Sequence, residues 1–215
     1  MRVISIAPNA TEIIFALGAS DRLVGVSDFC RLPKGQNELP RVGGLIDPNL
    51  ERILLLKPNL IIARGKMREV EKLCEANQIA LYHDPTESYD DIFRTIRELG
   101  DLLSRHEQAA ALTQQITERV DRVTERIAGK TRPRVLFTTD RPLDSLARVT
   151  TCGRNTFVDE IIRRAGGENV FGRVDVAYPE VSLESILVAR PEVIIEVMPS
   201  SKREITELTE SVRTQ

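Results

Sequence analysis

Short, almost unbroken apolar runs alternate along the chain with longer stretches whose apolar positions recur at helical spacing. The runs Val3–Ser5, Leu60–Ala63, Ala80–Tyr82, Val135–Thr138 and Val193–Val197 read as strands buried on both faces, the pattern of parallel sheets covered by helices. Asn9 stands where it can cap the first helix, Glu12 completes a capping box and Gly18 sits where that helix should end. The longest helical pattern runs from about Ser88 to Gly129, on Leu99, Leu103, Ala110, Ile116, Val120, Val123 and Ile127. A break is predicted near Ser104-Arg105-His106, where the apolar stripe drifts, and Gly129 to Pro133 end the pattern.

The pattern is duplicated. Leu50-Glu51-Arg52-Ile53-Leu54-Leu55-Leu56-Lys57-Pro58-Asn59-Leu60-Ile61-Ile62 returns as Leu183-Glu184-Ser185-Ile186-Leu187-Val188-Ala189-Arg190-Pro191-Glu192-Val193-Ile194-Ile195, displaced by 133 positions from Glu51 to Glu184. Each copy predicts a short helix, a basic residue before proline, then a buried strand. A second echo links Glu12-Ile13-Ile14 and Gly18 to Glu160-Ile161-Ile162 and Gly166. The expected fold is therefore α/β, with two Rossmann-like lobes of mainly parallel sheet, residues 1–89 and 134–215. They are joined by a stiff backbone helix over residues 90–133 and face one another across a cleft with little hinge motion.

Composition narrows the function. A net charge of −2 argues against a nucleic-acid partner, and no apolar stretch approaches the ~18 residues of a membrane span. Cys30, Cys74 and Cys152 are odd in number and lack metal-ligand spacing, and His83 and His106 are the only histidines, so neither a disulfide framework nor a metal site is expected. No P-loop, dinucleotide fingerprint, nucleophile elbow or zinc-protease motif is found, and nothing argues for an enzyme. Met1 to Ile6 reads as a first strand rather than a signal peptide, so the protein is either cytosolic or begins after processing.

Several ordered motifs resemble one family. VISIAPNATEIIFALGASDRL from Val3, VGVSDFC from Val24 and PRVGGLIDPNLERILLLKPNLIIA from Pro40 are similar to the first lobe of helical-backbone substrate-binding proteins serving ABC importers of vitamin B12, ferric siderophores and haem. RVLF from Arg134, NTFVDEIIRRAGGENVF from Asn155 and YPEVSLESILVARPEVII from Tyr178 resemble the second lobe, with the B12-binding branch nearest in phrasing. The resemblance implies a carrier, periplasmic or lipid-anchored outside the cytoplasm, that meets the membrane only through an ABC permease dimer. It implies no intrinsic cofactor, the ligand being a cobalamin or an iron chelate. Family members continue after the segment matching Met198-Pro199-Ser200, so the second lobe is expected to be incomplete, as a fragment, a trimmed chain or a degenerate lobe.

Candidate site residues follow from both lines of reasoning. Asn49 and Ser182 are good caps, and Glu51 and Glu184 in the next turn suit the helix dipole on electrostatic grounds alone. The resemblance adds permease docking for these two glutamates, against arginines of a two-fold partner. Loops after parallel strands should carry ligand groups. These are Asn9, equally a cap; Asp28 and Phe29, the ring being either cleft wall or core; and Gly44. Arg64 offers a cation or a solvated loop charge. In the second half they are Thr139, Asp140 and Arg141. Tyr178 stands where B12-binding relatives carry an aromatic that packs on the corrin. A ligand-sensing module and a cytosolic α/β enzyme using the same cleft are the alternatives.

Overall fold

The computed structural model describes residues 1–36, 38–142 and 148–197. The chain divides into two units, Met1–Asp121 and Arg122–Gln215. In the first, strands β1 (Val3–Ser5), β2 (Leu23–Val26), β3 (Leu60–Arg64) and β4 (Ala80–Asp84) form a parallel sheet in the order β2-β1-β3-β4. Its crossovers carry helices α1 (Pro8–Ala16), α2 (Leu50–Leu55) and α3 (Arg68–Asn77), and α4 (Tyr89–Leu102) and α5 (His106–Ile127) follow β4.

Successive strand residues point to opposite faces, and both faces are covered. Val3, Leu60 and Ile62 enter one core with Ile14 of α1 and Leu99 of α4, while Ile4 and Ile61 enter the other with Ile53 of α2 and Val70 and Cys74 of α3. Near-complete burial of each of these isoleucines contributes roughly 1.5–3 kcal/mol, which is why the apolar runs are nearly unbroken.

The expected helix break is present. Ser104 takes a left-handed φ of +50°, and Arg105 N donates to Gly100 O at 2.7 Å. A Cβ on Gly100 would lie 2.5 Å from the Ala109 Cβ, so α4 and α5 approach where only glycine fits. Helix α5 continues from there to Ile127. Gly18 and Gly166 both adopt positive φ just past their helices, as the echo predicts.

The second unit contains β5 (Arg134–Asp140), β6 (Val149–Thr151), α6 (Phe157–Arg164), β7 (Glu168–Asn169), β8 (Glu180–Val181), α7 (Leu183–Ala189) and β9 (Val193–Glu196). Its sheet is mixed: β5 runs parallel to β7 and β9 but antiparallel to β6, which is antiparallel to β8. One expectation is corrected here. The strand after α7 is exposed rather than buried, with Ile194 at 64%, because β9 pairs only with β5 among the described residues. Met198-Pro199-Ser200 and the chain beyond lie outside the described residues.

Candidate functional site

In the first unit the expected ligand loops lie at the carboxyl end of one parallel sheet. Asn9 follows β1, Asp28 and Phe29 follow β2, and Arg64 ends β3. The loop after β2 is tied down: Asp28 N donates to Gly43 O at 3.0 Å, and the Arg41 guanidinium donates to Ser27 O at 2.7 Å and Cys30 O at 2.6 Å. Phe29 is 65% exposed and so is not a core residue, and its ring lies 3.0 Å from where a Cβ on Gly44 would stand. Leu45 to Pro48, Leu50, Lys66, Met67 and the first turn of α3 surround a cavity of about 670 Å³. Arg64 meets Glu87 at 3.7 Å, so its charge is partly answered by a loop acid.

Asn9 is not the helix cap. Ala7 is the capping residue and makes no side-chain cap bond, while Pro8 supplies the first helical position with its preset φ and missing N–H. That shift leaves the Asn9 amide free to donate to Asp84 Oδ2 at 2.6 Å. Asp84, buried at the end of β4, also accepts from the Thr86 hydroxyl at 2.6 Å and the Thr95 hydroxyl at 3.2 Å. Asn9, at the start of α1, is thus tied to the end of β4, which Thr95 links to α4, and Glu12 stays exposed.

In the second unit Thr139 and Asp140 end β5 and Arg141 follows it. The Thr139 hydroxyl donates to Thr150 O at 3.1 Å, and the Arg141 guanidinium pairs with Glu196 on β9. Tyr178 precedes β8 in a segment that lies against β6, where Thr151 N donates to Pro179 O at 3.0 Å and Gly153 N to Ala177 O at 2.9 Å. A Cβ on Gly153 would lie 2.0 Å from Val176 O, so glycine is what allows this segment its close approach. Among the described residues no group of three or more His, Cys, Asp or Glu is arranged to hold a metal ion.

Glu51 and Glu184 occupy equivalent places on α2 and α7, both exposed. Asn49 Oδ1 accepts from Arg52 N at 2.9 Å and Ser182 Oγ from Ser185 N at 3.3 Å, as the caps predict. The Ser182 hydroxyl, and then Glu184's own backbone N–H, hold the Glu184 carboxyl below the usual range, so it is anionic at neutral pH.

The duplication extends to residues that sequence reasoning missed. Arg2 donates through Nη2 to Leu56 O at 2.7 Å, and Arg134 through Nη2 to Ala189 O at 2.6 Å, each guanidinium closing the C-terminus of its acid-bearing helix. The matching backbone N–H groups donate to Asn59 Oδ1 at 3.0 Å and Glu192 Oε2 at 2.8 Å. The signal was present as an arginine directly before each half's first apolar run, Arg2-Val3-Ile4 and Arg134-Val135-Leu136. Lys57 and Arg190 then leave their helices with left-handed φ, +48° and +43°.

Residues 3–213 match the family described as periplasmic binding protein. The vitamin B12-binding protein of Vibrio parahaemolyticus serotype O3:K6 is 31% identical over 197 residues, covering 90% of this chain and 69% of the relative. Among solved structures, the periplasmic vitamin B12 binding protein BtuF of Vibrio cholerae is 32% identical with a TM-score of 0.75, over 96% of this chain and 78% of that one. The apo form of the periplasmic heme-binding protein RhuT from Roseiflexus sp. RS-1 is 29% identical with a TM-score of 0.77, over 91% and 75%. Motif order, sheet topology and similarity along nearly the whole chain agree: this chain belongs to the periplasmic binding protein family.

Proposed function

We propose that the protein captures a corrinoid outside the cytoplasm and delivers it to an ABC importer, and is not an enzyme. The observation that carries this reading is 31% identity over nine-tenths of the chain to a protein named for vitamin B12 binding. The geometry supports it in each unit. The first presents Phe29, Asp28, Gly44, Arg64 and Asn9 at the carboxyl end of its sheet, and the second presents Thr139, Asp140, Arg141 and Tyr178. An aromatic face, a few cations and amide-bearing loops suit a flat macrocycle fringed with amides. Glu51 and Glu184 serve delivery, since one anion per unit, at matched positions, meets arginines presented twice by a permease dimer.

Calorimetric titration with cyanocobalamin tests the ligand. Saturable heat is expected, and no heat from demonstrably folded protein overturns the corrinoid reading. A haem reading rests on Tyr178, whose phenol suits an axial iron ligand, and on the 29% identity to a heme-binding protein. It predicts a Soret shift on adding hemin that Y178F removes.

A further inference from the structure

We infer that each docking helix carries a two-point knob, an acid followed one turn later by an exposed aliphatic side chain: Glu51 with Leu55 in the first unit, Glu184 with Val188 in the second. The partner it fits is a permease surface whose arginine stands beside an apolar recess, repeated by two-fold symmetry. The inference rests on the docking reading above and adds what the acids alone lack.

Residues four apart share one face of a helix, so Leu55 lies beside Glu51 and Val188 beside Glu184. Leu55 is 78% exposed and Val188 81%. Both pairs face away from the core, because Ile53 and Ile186, half a turn off, are the buried residues of their helices. Leu54 and Leu187 widen each apolar patch at a second matched position. Single exposed aliphatics are ordinary and need no explanation. These recur at the same two offsets from the acid in both copies of a repeat in which the neighbouring residues Arg52 and Ser185 have diverged.

Chemistry gives the two points separate roles. A carboxylate supplies range and orientation, but it loses hydration on docking and its attraction is screened as salt rises. An aliphatic side chain beside it adds burial that salt does not screen and keeps water from the ion pair. Arg2 and Arg134 hold the carboxyl ends of both helices, so the pair of groups is presented at fixed spacing.

The test measures binding of the full-length protein to its cognate ABC importer in nanodiscs across a KCl series, for the parent, L55S, V188S, L55S/V188S and E51A/E184A. Thermal unfolding confirms that each variant is folded. Each serine variant is expected to weaken binding about tenfold and the pair about a hundredfold at every salt concentration, with the parent's salt slope retained. The alanine pair is expected to flatten that slope. Parent-like affinity for L55S/V188S alongside weak binding by E51A/E184A overturns the inference and leaves acid docking standing. Parent-like affinity for both overturns the docking reading itself.

Discussion

Arg134 closes the last turn of α7 by donating twice to one carbonyl, from Nη2 at 2.6 Å and Nε at 3.0 Å to Ala189 O. Arg2 does the same for α2 at Leu56 O, at 2.7 Å and 3.1 Å. Charge-assisted hydrogen bonds to helix-terminal carbonyls are worth about 1–2 kcal/mol each when partly exposed. R134A and R2A should each lower urea-unfolding stability by that amount. R134K, which keeps the charge but loses the fork, should recover less than half.

Asn9 answers a buried carboxylate, so its loss should be felt through Asp84 and not through the helix end. N9A should cost about 1–3 kcal/mol in chemical unfolding, the penalty of an under-satisfied buried acceptor. N9D should cost more, because two carboxylates then meet at short range. A helix cap would behave oppositely, tolerating aspartate as well as asparagine.

Cys152 gives a pH signature. Burial, with the Asp159 carboxylate adding to it, raises the thiol from 9.0 to about 11. A thiol that ionises later in the folded state than in the unfolded chain costs nothing below the ordinary value and destabilises above it. Stability should therefore decline as pH rises from about 9 to about 11, and C152A should flatten that decline in thermal melts. Ellman's reagent at neutral pH should label Cys152 only on unfolding.

Gly153 and Tyr178 can be separated by mutation. G153A brings a methyl group against Val176 O and should lower stability by about 1–3 kcal/mol while displacing the segment that carries Tyr178. Y178A should weaken cyanocobalamin binding about tenfold by calorimetry, whereas Y178W should match or exceed the parent.

Much of the fold was legible because its signals are local. Asn49 and Ser182 announce their caps within three residues, Gly18 and Gly166 close their helices, and the drift of the apolar stripe at Ser104 marks the turn between α4 and α5. What escaped depended on partners distant in sequence. Asn9 finds Asp84 75 residues away, and a cap and a tertiary amide contact look alike until Pro8 is seen to hold the first helical position. The apolar character of Val193-Ile194-Ile195 reads as burial, but exposure depends on what stands beside β9, which one strand cannot reveal. The short strands β6, β7 and β8 escaped for the same reason, being two or three residues long and defined by pairing rather than periodicity.

Arg41 has an effect that reaches past the loop it ties. By bridging Ser27 O and Cys30 O, it settles the backbone on both sides of Phe29 when the chain folds. The conformational entropy of that stretch is surrendered once, before any encounter. If Phe29 meets the ligand as proposed, its backbone is already ordered, and affinity there is not diminished by the ordering of a wandering loop.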